Sequence, residues 1–148
     1  MGMFTAFDIN ATGMTAERFR MDIISQNIAN TNTTRTEDGT PYRRKVVVFE
    51  EKTSPHNFHH VLTTAKHRYS GTGVKVGGVY EDEWTEMNMV YDPSHPDADE
   101  NGYVTYPNVN TITEMTNLID ASRAYEANST AFSASKNIAT KGLDMLQS

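Results

Sequence analysis

Residues 109–148 read VNTITEMTNLIDASRAYEANSTAFSASKNIATKGLDMLQS, and the fold turns on this stretch. No proline interrupts it, and Leu118, Tyr125, Phe132, Ala139 and Leu146 recur every seven residues, the spacing of one side of a long helix. Three positions after the first four of these stand Ala121, Asn128, Ser135 and Gly142, flanked by Ala124, Ala131, Ile138 and Met145. Large and small side chains therefore alternate along the stripe, and the small ones let a second helix approach closely. At ~1.5 Å per residue such a helix extends roughly 60 Å, about twice the width of a compact domain of this size. It cannot cover its own stripe.

A similar pattern stands at the other end of the chain. Across residues 3–30, Phe7, Met14, Met21 and Ile28 recur every seven residues, with Phe4, Ala11 and Ile24 beside them, one side of a long helix that is predicted from about 14 to 30. Gly13 and Thr12 weaken its early turns. The run Asn30-Thr31-Asn32-Thr33-Thr34 ends it, because these side chains compete for backbone hydrogen bonds.

Between the helices the period changes. Val46-Val47-Val48-Phe49 and the glycine-bounded run from Gly73 to Tyr80 read as strands, as does Tyr103 to Tyr106. Pro93, Pro96 and Pro107 exclude a helix through 93–107, so the acidic part reads as an ordered loop. Charge is divided: residues 35–75 hold eight bases and four acids, whereas 81–100 hold eight acids and no base, a division that favours oriented pairing with a second copy of the chain or with another protein. The expected architecture is α+β, with long N- and C-terminal helices packed as a coiled-coil-like pair and a small β-rich middle. Its parts are residues 1–34, 35–108 and 109–148.

Composition removes whole classes of function. A net charge of −6 argues against a phosphate-backbone binder, so no nucleic-acid partner is expected. The chain has no cysteine, which excludes disulfides, thiolate metal sites and cysteine nucleophiles. No run approaches the ~18 apolar residues of a membrane span, so no direct membrane insertion is expected, and the N-terminus lacks the pattern of a cleavable signal. The hydrophobic fraction is 37%. Adding the nine glycines does not lift it to the ~45–50% usual when glycine is counted, so partners are needed to complete the core.

Few residues offer chemistry. Asp97-Ala98-Asp99-Glu100-Asn101-Gly102 matches the first half of a calcium loop, with oxygen donors at alternate positions and glycine sixth. The twelfth position is Asn108 where a bidentate Glu is needed, and no helix precedes the loop; a calcium-binding α+β module is the alternative reading. His56, His59, His60 and His67 cluster, and His56/His60 have an i, i+4 spacing, but Pro55 precedes them and an exposed loop is the simpler reading. Ser133 and Lys136 fit S-x-x-K only by chance, without the partner motifs. No catalytic residue, metal ligand or cofactor is assigned, and no enzyme activity is expected.

Several stretches resemble a known family. Gly13-Met14-Thr15-Ala16, Arg20-Met21-Asp22, Ser25-Gln26-Asn27-Ile28-Ala29-Asn30 and Thr33-Thr34 resemble the N-terminal signature of the bacterial flagellar rod and hook proteins. Three further stretches are similar to the proximal-rod branch. These are Thr33-Thr34-Arg35-Thr36 with Pro41-Tyr42-Arg43-Arg44, the loop from Tyr91 to Asp99, and Ala121-Ser122-Arg123-Ala124-Tyr125-Glu126-Ala127-Asn128. The resemblance implies a structural, non-enzymatic subunit of the flagellar basal body. It implies export through the flagellar type III apparatus without a cleavable signal. It further implies assembly with copies of itself and related rod proteins into a periplasmic drive shaft around the export channel.

On that reading both stripes, Phe7, Met14, Met21 and Ile28 with Leu118, Tyr125, Phe132, Ala139 and Leu146, become subunit interfaces. Asn27, Asn30 and Asn128 then fix register, since a buried amide lacking its partner costs roughly 1–3 kcal/mol. Helix-end capping for Asn30 and simple exposure for Asn27 are the alternatives.

Overall fold

The computed structural model describes residues 3–52 and 72–147, with side chains between 5 and 145. The histidine cluster at 56–67 lies outside the described residues. Two long helices are joined by a middle of short strands: α1 (Met3–Ala29), β1 (Lys45–Glu51), β2 (Val74–Glu81), β3 (Asn88–Tyr91), β4 (Tyr103–Tyr106) and α2 (Thr111–Gln147). The α+β architecture follows the sequence pattern.

Each helix end has a local cause. At the C-terminus of α1, Asn30 Nδ2 donates to Gln26 O at 2.9 Å and Thr31 Oγ1 donates to Ile28 O at 2.9 Å, side-chain bonds that add to the backbone N–H groups of the same two residues on these carbonyls. Asn110 caps α2: its Oδ1 accepts from Ile112 N at 3.0 Å and from Thr113 N at 3.2 Å. Pro107 stands ahead of that cap, so the helix cannot extend back through β4.

β1 pairs with β2 in one two-stranded sheet, and β3 pairs with β4 in another. The second pair is antiparallel, with Met89 opposite Thr105, Val90 opposite Val104 and Tyr91 opposite Tyr103. β3 is an addition to the expected architecture, since its residues fall within the acidic stretch that reads as loop. Four residues, all of them exposed, carry no apolar alternation long enough to announce a strand, and it forms because β4 supplies the pairing. The connection between them, residues 92–102, is ordered. Asp92 N–H donates to Gly102 O at 2.9 Å, and Asp99 Oδ1 accepts from Asn101 N and Tyr103 N at 2.9 and 2.8 Å. Gly102 has φ +80°, and a Cβ there would lie 3.0 Å from the Tyr91 ring.

The chain forms two compact units, and each draws on both helices. Unit 1 comprises residues 1–18, 49–77 and 122–148; unit 2 comprises 19–48 and 78–121. In unit 1, Ala16 is buried and the rings of Phe7 and Phe132 meet edge to face at 5.1 Å. In unit 2, the core contains Ile24, Tyr42, Val104, Val109 and Ala121.

Thr12 takes a specific role in unit 1. Its hydroxyl donates to Ile9 O at 2.8 Å and accepts the Val74 N–H at 3.2 Å, tying α1 to the start of β2. The adjacent Gly73 has φ +105°, and a Cβ there would overlap the Thr12 hydroxyl. Gly73→Ala therefore both strains the backbone and breaks this tie. It is expected to lower stability by roughly 1–3 kcal/mol, measured by denaturant unfolding beside Gly39→Ala, whose Cβ meets nothing within 4 Å despite φ +77°.

Candidate assembly interface

In unit 1 the two helices run antiparallel, since Phe7 meets Phe132 while Gly13, later in α1, meets Asn128, earlier in α2. A Cβ on Gly13 would lie 3.0 Å from the Asn128 amide. The glycine that weakens a helix by propensity is the residue that admits the partner side chain. Asn128 Nδ2 donates to Ala124 O at 2.9 Å, one turn back along its own helix, and so lies flat along α2 where α1 crosses it.

Unit 2 is held by a buried polar cluster. Asn27 is 0% exposed and its amide makes all four of its hydrogen bonds. Nδ2 donates to Lys45 O at 2.9 Å and to Glu114 Oε2 at 2.9 Å. Oδ1 accepts from Tyr42 OH at 2.8 Å and from Lys45 N at 2.9 Å. Glu114, 1% exposed, receives Arg44 Nε on its other oxygen at 2.8 Å. A carboxylate taken out of water needs such a partner, and the guanidinium supplies it.

The cluster continues into the loops. Arg44 N donates to Asn108 Oδ1 at 2.9 Å, and Asn108 Nδ2 donates to Asp82 O at 2.8 Å and Thr85 O at 3.2 Å. Asp82 in turn holds the next turn of chain. The Thr85 backbone N–H is the largest influence keeping its carboxyl below the ordinary carboxylate range. Burial, the second largest influence, opposes this, and the Thr85 hydroxyl, the Trp84 N–H and Arg44 add to the lowering. Tyr42 moves the opposite way: burial first, then the nearby Glu81 and Glu114 carboxylates, push its phenol from 10.0 up to about 12.

The residues singled out from the sequence fall into three groups. Phe7, Phe132 and Asn128 lie at the helix-to-helix contact of unit 1. Asn27 is at the centre of the unit 2 cluster, where the register it fixes is that of α1 against β1 and the first turn of α2. Asn30 closes the end of α1, and Met14, Met21, Ile28, Leu118 and Ala139 are half-buried along the helices. Tyr125 is 36% exposed, and the side chain of Leu146 lies outside the described residues. Tyr42, Arg44, Asn108 and Glu114 were not legible as a set, because their partners are brought in from 15 to 87 positions away.

The calcium-like loop uses its oxygens within the chain. Asp97 Oδ2 accepts from Thr34 Oγ1 at 2.8 Å and Oδ1 faces Arg35 at 3.7 Å, while Asp99 holds backbone amides. Among the described residues no group of three or more His, Cys, Asp or Glu is placed to hold a metal ion.

Two family models match the chain: one described as flagella basal body rod protein over residues 7–35, and one described as flagellar basal body rod FlgEFG protein C-terminal over residues 100–145. The matches thus fall on α1 with its terminating loop, and on β4 with α2. Relatives match along the whole length. A flagellar basal-body rod protein FlgC of Borreliella burgdorferi is 42% identical, over 99% of this chain and 99% of the relative. The FlgC proteins of Bacillus subtilis and Salmonella typhimurium are 40% and 35% identical, over 98% and 99% of this chain and 99% and 100% of theirs.

Asn27→Ala removes four hydrogen bonds and strands Glu114 Oε2, Tyr42 OH and both backbone groups of Lys45. The expected loss is about 3 kcal/mol or more, read from chemical denaturation. The Tyr42 phenol gives a pH dependence of definite sign. Below pH 10.0 it is neutral in both folded and unfolded chains. As pH rises from there to about 12 the unfolded chain ionises first, so stability falls across that window. Phenolate absorbance should show a step near pH 12, and Tyr42→Phe should remove it.

Proposed function

This chain belongs to the FlgC family of flagellar basal-body rod proteins, and we propose that it works as a structural rod subunit whose terminal helices are its assembly surfaces. The observation that carries this reading is the apolar surface α2 leaves uncovered in unit 1. Ile138, Leu143 and Met145 are 70%, 58% and 75% exposed, and Tyr125 is 36% exposed. Burying such side chains contributes about 1.5–3 kcal/mol each, which the isolated chain forgoes and an assembly recovers.

The division of labour proposed for the chain is residues 1–34 and 109–148 as the helical part that packs with neighbours, and residues 35–108 as the middle that shapes the subunit. The helical stripes, with Met14, Met21, Ile28, Leu118, Tyr125, Ala139 and Leu146 along them, are the proposed contacts with other copies and with related rod proteins. In a rod such helices enclose the export channel and carry torque, because close-packed helices locked in register resist twisting. The role is mechanical rather than catalytic. Export by the flagellar type III apparatus and residence in the periplasmic rod belong to the same proposal.

Ile138→Asp tests the reading. The position is 70% exposed, so the isolated chain should unfold within about 0.5 kcal/mol of wild type. Rod completion and swimming should be lost, because a carboxylate would be buried without a partner in the assembly. A stable Ile138→Asp chain that supports normal motility overturns the assignment of this stripe.

A further inference from the structure

Unit 2 carries a second uncovered surface of different chemistry. From Lys75 to Arg123 the chain has no intervening lysine or arginine but has ten carboxylates. Several of these are engaged internally, as described for Asp82, Asp97, Asp99 and Glu114; Glu81, Glu83, Glu86 and Glu100 are exposed. Among them stand apolar groups that a subunit working alone would not present together. On the outer face of the β3–β4 hairpin, Met89, Tyr91 and Tyr103 are 70%, 64% and 44% exposed, with the two rings edge to face at 5.3 Å. Trp84, the only tryptophan, is 95% exposed on the turn leading into β3.

That turn is built, not loose. Asp82 Oδ1 accepts the Trp84 and Thr85 N–H groups at 3.2 and 3.1 Å, and Oδ2 accepts the Thr85 hydroxyl at 2.9 Å. Asp82 is itself anchored to the buried cluster, because its carbonyl receives Asn108 Nδ2 and its carboxylate faces Arg44 at 3.6 Å. An indole presented on a fixed backbone loses little freedom when a partner covers it, which is the condition for an energetically dominant contact.

We propose that the Trp84 turn and the outer face of the β3–β4 hairpin form a docking surface for a basic, arginine-presenting protein of different sequence. Guanidinium groups stack on exposed indole and phenol rings and pair bidentately with carboxylates, and the turn alone offers both, with exposed Glu83 and Glu86 on either side of Trp84 in the chain. A second copy of this chain is a poorer occupant on charge. The whole chain carries a net charge of −6, so a second copy would approach this acidic surface against net repulsion. Of the five bases in unit 2, Arg35 already faces Asp97, and Arg44 faces Asp82 and Glu114. None of these residues is a position of the helical stripes, and the inference rests on the chain acting as an assembled subunit.

The test replaces Trp84 or, in a second strain, Ile138 with the photo-reactive p-benzoylphenylalanine in the full chain. Each variant is made in place of the wild-type copy, and its adducts are identified by mass spectrometry after irradiation. Position 84 should join to an arginine-containing segment of a different protein. Glu83→Gln with Glu86→Gln should cut that yield about fivefold or more by removing two charge pairs. An adduct to a second copy, an adduct to a segment without bases, or no adduct at 84 while 138 is joined overturns this proposal alone. If neither position is joined, the assembly reading falls with it.

Discussion

The constraint on which the rest of unit 2 depends is the four-bonded amide of Asn27. A carboxamide at zero exposure has to find two acceptors and two donors or lose a large part of the stability of a marginal fold. Only one arrangement of α1, β1 and α2 supplies them: both backbone groups of Lys45, the Tyr42 hydroxyl and Glu114 Oε2. Apolar side chains tolerate sliding by part of a turn, whereas this cluster does not. Arg44 then balances the buried Glu114 and passes the same order outward through Asn108 and Asp82.

Polar specificity of this kind suits a chain short of apolar material. With a hydrophobic fraction of 37%, much of it on exposed helix faces, the protein cannot rely on a large core to select its conformation. The buried cluster instead selects register, and the apolar side chains left on the surface are free to serve contacts beyond the chain. Unit 1 shows the other half of this economy. Its helices meet through one aromatic pair and one glycine, and α2 keeps Ile138 and Met145 in water.

The acidic middle gains a different meaning once folded. Alternate oxygen donors from Asp97 to Asn101 resemble a cation loop on paper, yet the folded chain spends them on its own amides and on Thr34 and Arg35. Of the carboxylates not spent this way, Glu83 and Glu86 flank the exposed Trp84 in the chain. Asp82 links the two situations, since it belongs to the buried cluster and also holds the turn that presents Trp84.

The two helices, their approximate limits and the strands β1, β2 and β4 were readable from the sequence, because a period near 3.6 and β-branched runs bounded by glycine express local physics that any context would respect. The family was readable too, from the Ser25 to Asn30 and Ala121 to Asn128 motifs. Tertiary structure alone decided what the marked residues do. Gly13 reads as a weak point in a helix and proves to be the place where Asn128 fits; Thr12 reads as a poor helix former and receives the Val74 N–H. Asn27 could be marked as a buried amide, but Tyr42, Arg44 and Glu114 could not be assigned to it. Hydrogen bonds across 15 to 87 positions leave no periodic trace in the chain, and only closure of the fold brings their partners within 3 Å.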